Sequence, residues 1–394
     1  SGWNAGGAWV RPEDASKNLY TASLVLDGPA RVEQKLPFPE VPKHCPKGDD
    51  GLPVYRREVI VVAFPENAEK EIASREAIKD LTSRVKDGVL TWDVPKGSWR
   101  VLRFVSTNNG QHLIAPSPNS NGLFIDFLDP EATRMHFQYF LDKLGLTPET
   151  ARKSSLAYFA ADSMELEPGI QWTDKFPEIF QASQGYALLP WLPALAGWTI
   201  QDTEVTEQIR YDYHKALSDQ LILSHYTTGS DLLNEYGLEL AAEAGGPAPP
   251  IWKTCSVDSL KALGSVGIPR GEFWIRHRNI FLIKEVSSAA HIYGKRYVDA
   301  EAFTTWRRWK DSPFTLKRYA DRAFCEGLNR VTYHTFAHTP PEVGLPGYTY
   351  HAGSDINPAV TWWDKSRPFA DYLARCSYML QQGQFVADVC YYYG

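Results

Sequence analysis

The stretch Lys284–Thr304, KEVSSAAHIYGKRYVDAEAFT, carries the pattern that decides the fold. It begins inside a helix predicted over residues 278–293, and Gly294 stands where a helix C-cap is expected, because glycine adopts left-handed backbone without strain. A short apolar strand, Tyr297–Ala300, follows and ends at the carboxylate of Glu301. A helix that leads into a strand ending in a polar side chain is typical of one unit of a parallel α/β sheet.

Similar units on both sides of this stretch predict a (β/α)8 barrel of the TIM type. Polar residues end four successive strands at spacings of 29, 29 and 33 residues, which is one strand–helix unit each. A closed barrel needs eight strands. We therefore expect a missing first strand just upstream of residue 1, before the loop GWNAGGAWV. An open doubly wound sheet is the alternative, but no GxGxxG loop follows a strand. The seven predicted strands are Phe124–Phe127, Leu156–Ala161, Leu238–Ala242, Glu272–Trp274, Tyr297–Ala300, Arg330–Thr335 and Phe385–Tyr392. Helices are predicted over residues 203–235, 278–293, 315–328 and 365–382. A further helix is predicted after its cap at Asp129, with an apolar face of Ala132, Met135, Tyr139, Phe140 and Leu144.

Residues 19–107 have a different pattern, with short strands broken by proline and glycine. Tyr55–Phe64 is rich in β-forming residues, and two further strands flank a predicted turn at Pro95–Ser98. This pattern favours a small antiparallel β-sandwich inserted into the barrel. The predicted domains are a barrel start at 1–18, with a short helix at Pro12–Asn18, the sandwich at 19–107 and the rest of the (β/α)8 barrel at 108–394.

Composition narrows the function classes. The 394 residues carry 41 Lys and Arg against 47 Asp and Glu without a long basic run, which argues against nucleic-acid binding. Mean hydropathy is −0.35, and no run of 18 apolar residues predicts a membrane span. Aromatic residues make up 13%, which points weakly to carbohydrate, although an aromatic core explains the same figure. The five cysteines lack a CxxC pattern, so they predict neither a disulfide framework nor a zinc site.

Carboxylates gather at the predicted C-terminal ends of the strands, where barrels place their chemistry. Any one of them could cap a helix or pair with an arginine, but a buried group of them indicates a function or a bound cation. Two carboxylates across a pocket can cleave a glycosidic bond, and their separation decides between inversion and retention. The strand-end set is Asp162, Glu165, Glu243, Glu272, Asp299 and Glu301, with His334 and His338 in VTYHTFAHTP and with Trp274 and Trp306 nearby.

The same set suits calcium better than zinc. Calcium takes oxygen ligands in loose geometry, and Glu243, Glu272 and Asp162 are the candidates. His334 and His338 are four residues apart, but we place them on a strand and its following loop, whereas HxxxH binds one metal when it is helical. These histidines are expected either to bind substrate hydroxyls or to pack structurally. No GxSxG motif supports serine-hydrolase chemistry.

An ordered set of segments resembles glycoside hydrolase family 106, the α-L-rhamnosidases. The segments are GWNAGGAWVRPEDASK, ADSMELEP, AAEAGG, KEVSSAAHIYGKRYVDAEAFT, AFCEGLNRVTYHTFAH and YLARCSYMLQQGQFVADVCYYYG. The resemblance covers the first seventeen residues and most of the chain from 108 onward. It implies a (β/α)8 barrel with attached β-sandwich modules, inverting hydrolysis of terminal α-L-rhamnosyl linkages and a calcium ion near the sugar. It also implies a secreted or periplasmic bacterial protein.

The resemblance implies roles for individual side chains. Glu165 in DSME is expected to be the general acid, and Glu301 in AEAF the general base acting through water. Asp162 is expected to assist, by tuning Glu165 or by contacting sugar or metal. Glu272 and Glu243 are the expected calcium ligands. The expected partner is a rhamnose-containing oligosaccharide, polysaccharide or glycoside, contacted by Glu243, His334, His338, Trp274 and Trp306.

Two other functions stay open at this point. One is a non-catalytic carbohydrate-binding or scaffold barrel, which uses its aromatic residues only to hold glycans. The other is a retaining glycosidase of a different specificity, which a carboxylate separation of about 5–5.5 Å favours.

Overall fold

The computed structural model describes residues 4–114, 116–245, 257–276 and 281–392. The chain divides into two compact units, of which unit 1 comprises Ser1–Leu146 and Leu166–Gly229 and unit 2 comprises Thr147–Glu165 and Ser230–Gly394. Among the described helices, none combines the length and apolarity needed to cross a membrane.

The strands and helices are numbered here in chain order. The strands are β1 (Lys17–Lys35), β2 (Arg56–Pro65), β3 (Glu71–Ile72), β4 (Lys79–Asp80), β5 (Val85–Lys86), β6 (Val89–Asn108), β7 (Tyr158–Ala161), β8 (Ile170–Trp172), β9 (Thr199–Ile200), β10 (Glu239–Ala242), β11 (Ile268–Trp274), β12 (Asp299–Thr304) and β13 (Arg330–Tyr333). The helices are α1 (Pro130–Lys143), α2 (Pro148–Lys153), α3 (Phe176–Gln184), α4 (Leu192–Leu195), α5 (Thr203–Leu221), α6 (Thr228–Glu235), α7 (Ser259–Ser265), α8 (Phe281–Ile292), α9 (Pro313–Cys325) and α10 (Arg367–Leu380).

Unit 1 is built on a six-stranded antiparallel sheet in the order β4-β2-β6-β1-β8, with β5 paired to β6. β1 and β6 pair along almost their whole length, from Lys17 opposite Asn108 to Lys35 opposite Val89. Every second side chain of a strand lies on the same face, and the apolar ones pack in a core that includes Val61, Leu90 and Trp92. Apart from the short β3–β9 pair, the strands described between 19 and 107 belong to this one sheet, so the two facing sheets of a sandwich are not confirmed.

The predicted turn at Pro95–Ser98 is wrong, because these residues lie inside the continuous strand β6. The register between β1 and β6 shifts between Gly28 and Ala30, so the irregularity is a bulge in two long strands. A Cβ atom at Gly28 would lie 2.0 Å from the backbone oxygen of Pro95, and glycine alone permits this approach. Proline and glycine mark bulges as well as turns, which explains the error.

The helices between residues 12 and 235 follow the prediction more closely, and the last of them, α6, lies mostly in unit 2. The segment predicted as helix over residues 203–235 is α5, a π-helical turn at Ile222–Thr227 and α6 in immediate succession. Asp129 caps α1, since its side chain accepts a hydrogen bond of 3.0 Å from the Glu131 amide. The predicted helix at Pro12–Asn18 is shorter, a 3-10 turn over Pro12–Asp14, because β1 begins at Lys17.

Unit 2 contains a five-stranded sheet in the order β13-β12-β11-β10-β7, and its neighbouring strands are parallel. The helices predicted over 278–293, 315–328 and 365–382 correspond to α8, α9 and α10, although residues 278–280 lie outside the described residues. Gly294 has a φ of 65°, and the Lys295 amide donates to the Ala290 carbonyl at 2.7 Å. The C-cap predicted there is therefore confirmed.

The sheet of unit 2 has five strands in the described residues, not the seven predicted. Phe124–Phe127 belongs to unit 1, where Phe124 and Ile125 form only isolated bridges. Phe385–Tyr392 forms no strand within the described part of the chain, and its large apolar side chains are exposed. An apolar run without alternation does not establish a strand. The observed architecture is a mixed α/β fold with a partial parallel sheet, and a closed eight-stranded barrel is not confirmed.

The two faces of this parallel sheet have opposite chemistry. β11 and β12 pair so that Glu272 lies opposite Glu301, and Arg270 lies opposite Asp299. The alternate residues are apolar and join a core with side chains of α9 and α10. This core includes Phe273, Ala300, Ala302, Leu316, Ala320, Phe369 and Leu373. Because side chains alternate along a strand, the same two strands carry the core on one face and the charged residues on the other.

Candidate functional site

Carboxylates from four strands of unit 2 come together near the C-terminal ends of these strands. Asp162 follows β7, Glu243 follows β10, and Glu272 and Glu301 lie in β11 and β12. One oxygen from each of Asp162, Glu243 and Glu301 lies within 4.8 Å of the others, and we call these three the oxygen group. A second group within the same distance joins Glu272 and Glu301 to a ring nitrogen of His334. Glu301 belongs to both, so it lies at the centre of the site.

Arg270, which sequence reasoning missed, is the buried cation of this cluster. Only 7% of its surface is exposed. Its Nη2 lies 3.7 Å from Glu301 Oε1, and its Nε lies 3.9 Å from Asp299 Oδ2 and 4.0 Å from Glu243 Oε1. These distances exceed hydrogen-bond length. In the described part of the chain, Arg270 Nε and Glu243 Oε1 are both buried without a hydrogen-bond partner. The spacing of two residues between Arg270 and Glu272 is the signal that could have revealed it.

The carboxyl groups of the cluster hold their protons more tightly than usual. Burial, followed by the Asp162 carboxylate, raises the pKa of Glu301 to about 8, although Arg270 opposes this shift. Burial, followed by Glu301 and Asp162, raises the pKa of Glu243 well above its ordinary value. Burial also raises the pKa of Asp162 and of Glu272. The acids therefore outnumber the positive charge available in the cluster, which favours bound protons or a bound cation.

Glu165 is half-buried, as are Asp162 and Glu301, whereas Glu243 and Glu272 are buried. The Ser163 hydroxyl donates a hydrogen bond of 3.2 Å to its Oε1 atom. Burial raises the pKa of Glu165, the Ser163 hydrogen bond lowers it, and the Asp162 carboxylate raises it. A partly exposed carboxyl group with a raised pKa is suited to donating a proton to a substrate.

The two predicted histidines have different environments. His334 Nδ1 lies 3.0 Å from Thr304 Oγ1, 3.6 Å from Glu301 Oε2 and 3.8 Å from Glu272 Oε1. Burial, followed by Arg270 and His351, lowers the pKa of His334 to about 4, so the ring is neutral at neutral pH. His338 is exposed and lines a different cavity of about 280 Å³ in the loop after β13. The structure thus brings His334, and not His338, to the carboxylates.

Aromatic rings follow the C-terminal ends of β11 to β13. The ring centroids of Trp274 and Trp306 are 5.2 Å apart, and Trp306 is 64% exposed. Tyr350, which the sequence did not single out, lies 5.8 Å from the His334 ring and 4.3 Å from the His351 ring. Burial, followed by the carboxylates of Asp162, Glu301 and Glu165, raises the pKa of Tyr350 to about 12. Tyr350 lies in a long loop without periodicity, so no sequence signal marks it.

Comparisons with known proteins identify the family. The sequence profile of the α-L-rhamnosidases, glycoside hydrolase family 106, matches residues 47–394. The chain belongs to this family. A curated relative from Formosa agariphila, named "Putative beta-glucuronidase", is 32% identical over 422 residues, which cover 100% of this chain and 35% of the relative. The chain thus spans about a third of that relative's length.

A solved structure of a rhamnosidase from Novosphingobium sp. PP1Y is also similar to this family 106 chain. The TM-score is 0.78 at 24% sequence identity, and the match covers 99% of this chain and 52% of the other. At this identity the likeness shows the fold alone. The resemblance drawn from the sequence is confirmed, and the family supports a glycoside hydrolase. The roles of individual residues stay predictions.

Proposed function

We propose that this family 106 chain carries the catalytic site of an inverting α-L-rhamnosidase, which removes terminal α-L-rhamnose from rhamnose-containing glycans or glycosides. The observation that supports this best is the oxygen group beside Glu165, since Asp162 belongs to the group and also raises the pKa of Glu165. A secreted or periplasmic location is part of the proposal, because polysaccharide substrates lie outside the cytoplasm.

The proposed reaction uses two carboxyl groups with different roles. The Glu165 carboxyl donates its proton to the glycosidic oxygen as the bond from that oxygen to the anomeric carbon breaks. The Glu301 carboxylate accepts a proton from a water molecule as the water oxygen bonds to the anomeric carbon from the opposite face. The configuration at that carbon is then inverted. Asp162 acts as a positioning residue, because its negative charge helps Glu165 to keep its proton until the bond breaks.

The oxygen group also fits the calcium ion that the family resemblance implies. Calcium prefers oxygen ligands in a loose arrangement, and the buried Glu243 Oε1 lacks a hydrogen-bond partner within the described ranges. We assign Asp162, Glu243 and Glu301 as the residues that would hold it. Glu272, the other predicted ligand, belongs to the group with His334 instead. A bound calcium would supply positive charge beside Arg270, which favours the ionised form of Glu301 at neutral pH.

The electrostatics of the site favour rhamnose over a uronic acid, even though a relative is named as a glucuronidase. Buried acids surround Arg270, and Asp299, Glu301 and Glu243 already lie within 4.0 Å of its guanidinium. Without a bound cation, a substrate carboxylate about 4 Å from an ionised acid of the cluster meets a repulsion of about 4 kcal/mol at an effective dielectric constant of 20. Rhamnose is neutral and avoids this repulsion.

The proposal is tested with 4-nitrophenyl α-L-rhamnopyranoside and 4-nitrophenyl β-D-glucuronide as alternative substrates. We expect turnover of the rhamnoside alone, and proton NMR should detect the β-anomer of rhamnose first. Glu301→Gln should lower kcat about 10²- to 10⁴-fold, whereas Glu165→Gln should lower it less on this activated aryl substrate than on a natural disaccharide, because a good leaving group needs little protonation. Glu342→Gln, an exposed carboxylate of the same unit, is the matched control. Turnover of only the glucuronide, or undiminished turnover in both variants, contradicts the assignment, and the α-anomer first indicates a retaining enzyme.

A further inference from the structure

Unit 1 contains a polar cavity of about 260 Å³ that the proposed reaction does not use. It lies on strands β1 and β6, and its other walls are the loops at 66–70 and 196–198. Its volume is slightly below the range of about 300–1,000 Å³ that is usual for drug-sized ligands, which suits a ligand as small as a single sugar ring. We propose that it is a second glycan-binding site, which takes a sugar residue bearing an anionic substituent.

The guanidinium group of Arg100 forms the floor of the cavity, and its neighbours fix its orientation. Arg100 Nε donates to Glu66 Oε2 at 2.7 Å, and its Nη1 atom donates to Ser23 Oγ at 3.3 Å. The guanidinium lies 5.9 Å from the centroid of the Trp198 ring, which is buried. Because Glu66, Ser23 and Trp198 hold it from three directions, Arg100 presents hydrogen-bond donors in one orientation, as a recognition site requires.

The rim carries a second cation, Lys70, in a strained backbone conformation. Its φ is 58°, a left-handed value that lysine rarely adopts. The strain is maintained because the Lys70 amide donates to Asn67 O at 3.1 Å and the Thr199 amide donates to Lys70 O at 2.9 Å. The exposed Lys70 ammonium has no ion-pair or hydrogen-bond partner in the described ranges. The two backbone hydrogen bonds therefore fix the position of the Lys70 backbone at the rim and leave its ammonium free to contact a ligand.

The charged side chains of the cavity determine which class of ligand it can bind. Two cations, Arg100 and Lys70, face one carboxylate, and Glu66 is already paired with Arg100. One positive charge is therefore left for the ligand, while the hydroxyls of Thr21 and Ser23 offer hydrogen bonds to sugar hydroxyls. A carboxylate on a uronic acid and a sulfate ester share the chemistry that this site requires. The inference does not depend on the rhamnosidase assignment, because none of these residues belongs to unit 2.

Ligand-observed NMR on the full chain tests the site with three glycosides that share one ring. They are methyl β-D-glucuronoside, methyl β-D-glucoside 6-sulfate and the neutral methyl β-D-glucoside. We expect at least one anionic glycoside to bind fivefold or more tightly than the neutral one, and the stronger of the two identifies the anion. Raising NaCl from about 20 to 300 mM should weaken this preference, since salt screens exposed charges. Equal binding of all three glycosides overturns the proposal.

Variants locate the binding within the chain. Lys70→Asn removes the charge but keeps a residue that tolerates left-handed backbone, so the preference for the anionic glycoside should disappear. Lys86→Asn, an exposed lysine of the same unit, should leave it unchanged. Glu301→Gln should also leave it unchanged. If Lys70→Asn alters the unfolding midpoint, Lys70→Gly provides a second test with the same expected loss. Retention of the preference in both Lys70 variants overturns the proposal.

Discussion

Among the described residues, each unit buries one lysine or arginine side chain, Lys17 in unit 1 and Arg270 in unit 2, and the surroundings of the two differ. In unit 1 the Lys17 ammonium donates to Glu13 O at 2.8 Å, to Ala15 O at 3.0 Å and to Asp126 Oδ2 at 3.0 Å. All three of its donors are thus satisfied. In unit 2 Arg270 lies 3.7–4.0 Å from three carboxylates, and its Nε atom has no hydrogen-bond partner among the described residues.

The difference distinguishes a buried ion pair that stabilises the fold from a charged cluster that we expect to bind a ligand. A buried charge is tolerated when every donor and acceptor is paired. Lys17 and Asp126 meet this condition, since Asp126 also accepts from the Leu128 amide at 3.0 Å. Arg270 and Glu243 do not meet it, so a group from outside the chain is expected to complete their interactions. Satisfaction of hydrogen bonds, rather than burial of charge, therefore separates the surroundings of Lys17 from those of Arg270.

The largest expected effect comes from breaking the ion pair between Lys17 and Asp126. Lys17→Met leaves Asp126 buried without its cation, and we expect the free energy of unfolding to fall by about 3–5 kcal/mol. Chemical denaturation followed by circular dichroism measures this loss. Lys86→Met, at an exposed lysine of the same unit, is the control and should change stability by less than about 0.5 kcal/mol. A loss below 1 kcal/mol for Lys17→Met would show that the pair is not structural.

Calcium binding to the oxygen group should stabilise the protein. Calcium at about 100 times its Kd is expected to raise the free energy of unfolding by about 2.7 kcal/mol, because it binds the folded state alone. Thermal unfolding with calcium, with magnesium and with a chelator measures this gain, and metal analysis gives the stoichiometry. We expect calcium to act more strongly than magnesium, since the oxygen group suits a loose coordination shell. Identical unfolding midpoints in all three conditions contradict a calcium site.

Removing the charge of Glu243 should change the free energy of unfolding in the opposite direction to removing the charge of Lys17. We expect Glu243→Gln to stabilise the calcium-free protein by about 1–3 kcal/mol, because a neutral amide replaces a buried carboxylate that Glu301 and Asp162 repel. The same variant should lose calcium binding and rhamnoside turnover. Glu239→Gln, an exposed carboxylate in the adjoining strand β10, is the matched control. Destabilisation by Glu243→Gln would show that this carboxylate serves the fold.

A pH response of opposite sign is also expected in the two units, measured without calcium. Burial lowers the pKa values of His136 and His225 to about 3. Their contribution to stability is complete above the unfolded value of about 6.5 and is lost as the pH falls towards 3, by about 1.4 kcal/mol per pH unit and histidine. The pKa of Glu301 is raised to about 8, so its contribution is complete below about 4.5 and is lost as the pH rises through 8.

Hydrogen exchange resolved by peptide measures this response. On moving from pH 7.5 to pH 5, protection should fall in α1, which carries His136, and should rise in β11 and β12, after correction for the intrinsic exchange rate. His136→Gln should reduce the acid sensitivity of α1. A change of the same sign in both units would contradict the contrast between them.

Residues that obey a simple spacing were predictable from the sequence. Glu243, Glu272, Glu301 and His334 recur at the interval of one strand–helix unit, and the structure places all four at the same end of the parallel sheet. Gly294 was predictable as a C-cap because few residues adopt left-handed backbone. The family could be identified because these segments occur in a fixed order.

Features that depend on tertiary contacts were not predictable. In α1 the expected face included Tyr139, Phe140 and Leu144, whereas the buried side chains include Thr133 and His136, and Leu144 is exposed. The Thr133 hydroxyl finds a partner distant in sequence, because it lies 3.3 Å from Nδ1 of the His225 ring. Tyr350 reaches the carboxylates from a loop, where no periodicity exists. The bulge opposite Gly28 looked like a turn because its cause is a neighbouring strand.

The alternation along β11 and β12 has a consequence for how family members can diverge. Phe273 and Ala302 face the helices, while Glu272 and Glu301, one position away, face the site. A single-residue insertion in either strand would exchange acids for hydrocarbon on both faces at once. Insertions and deletions should therefore be selected against in these two strands and tolerated in the loops beyond their ends. New glycan preferences are accordingly expected to evolve by loop exchange around an unchanged pair of strands.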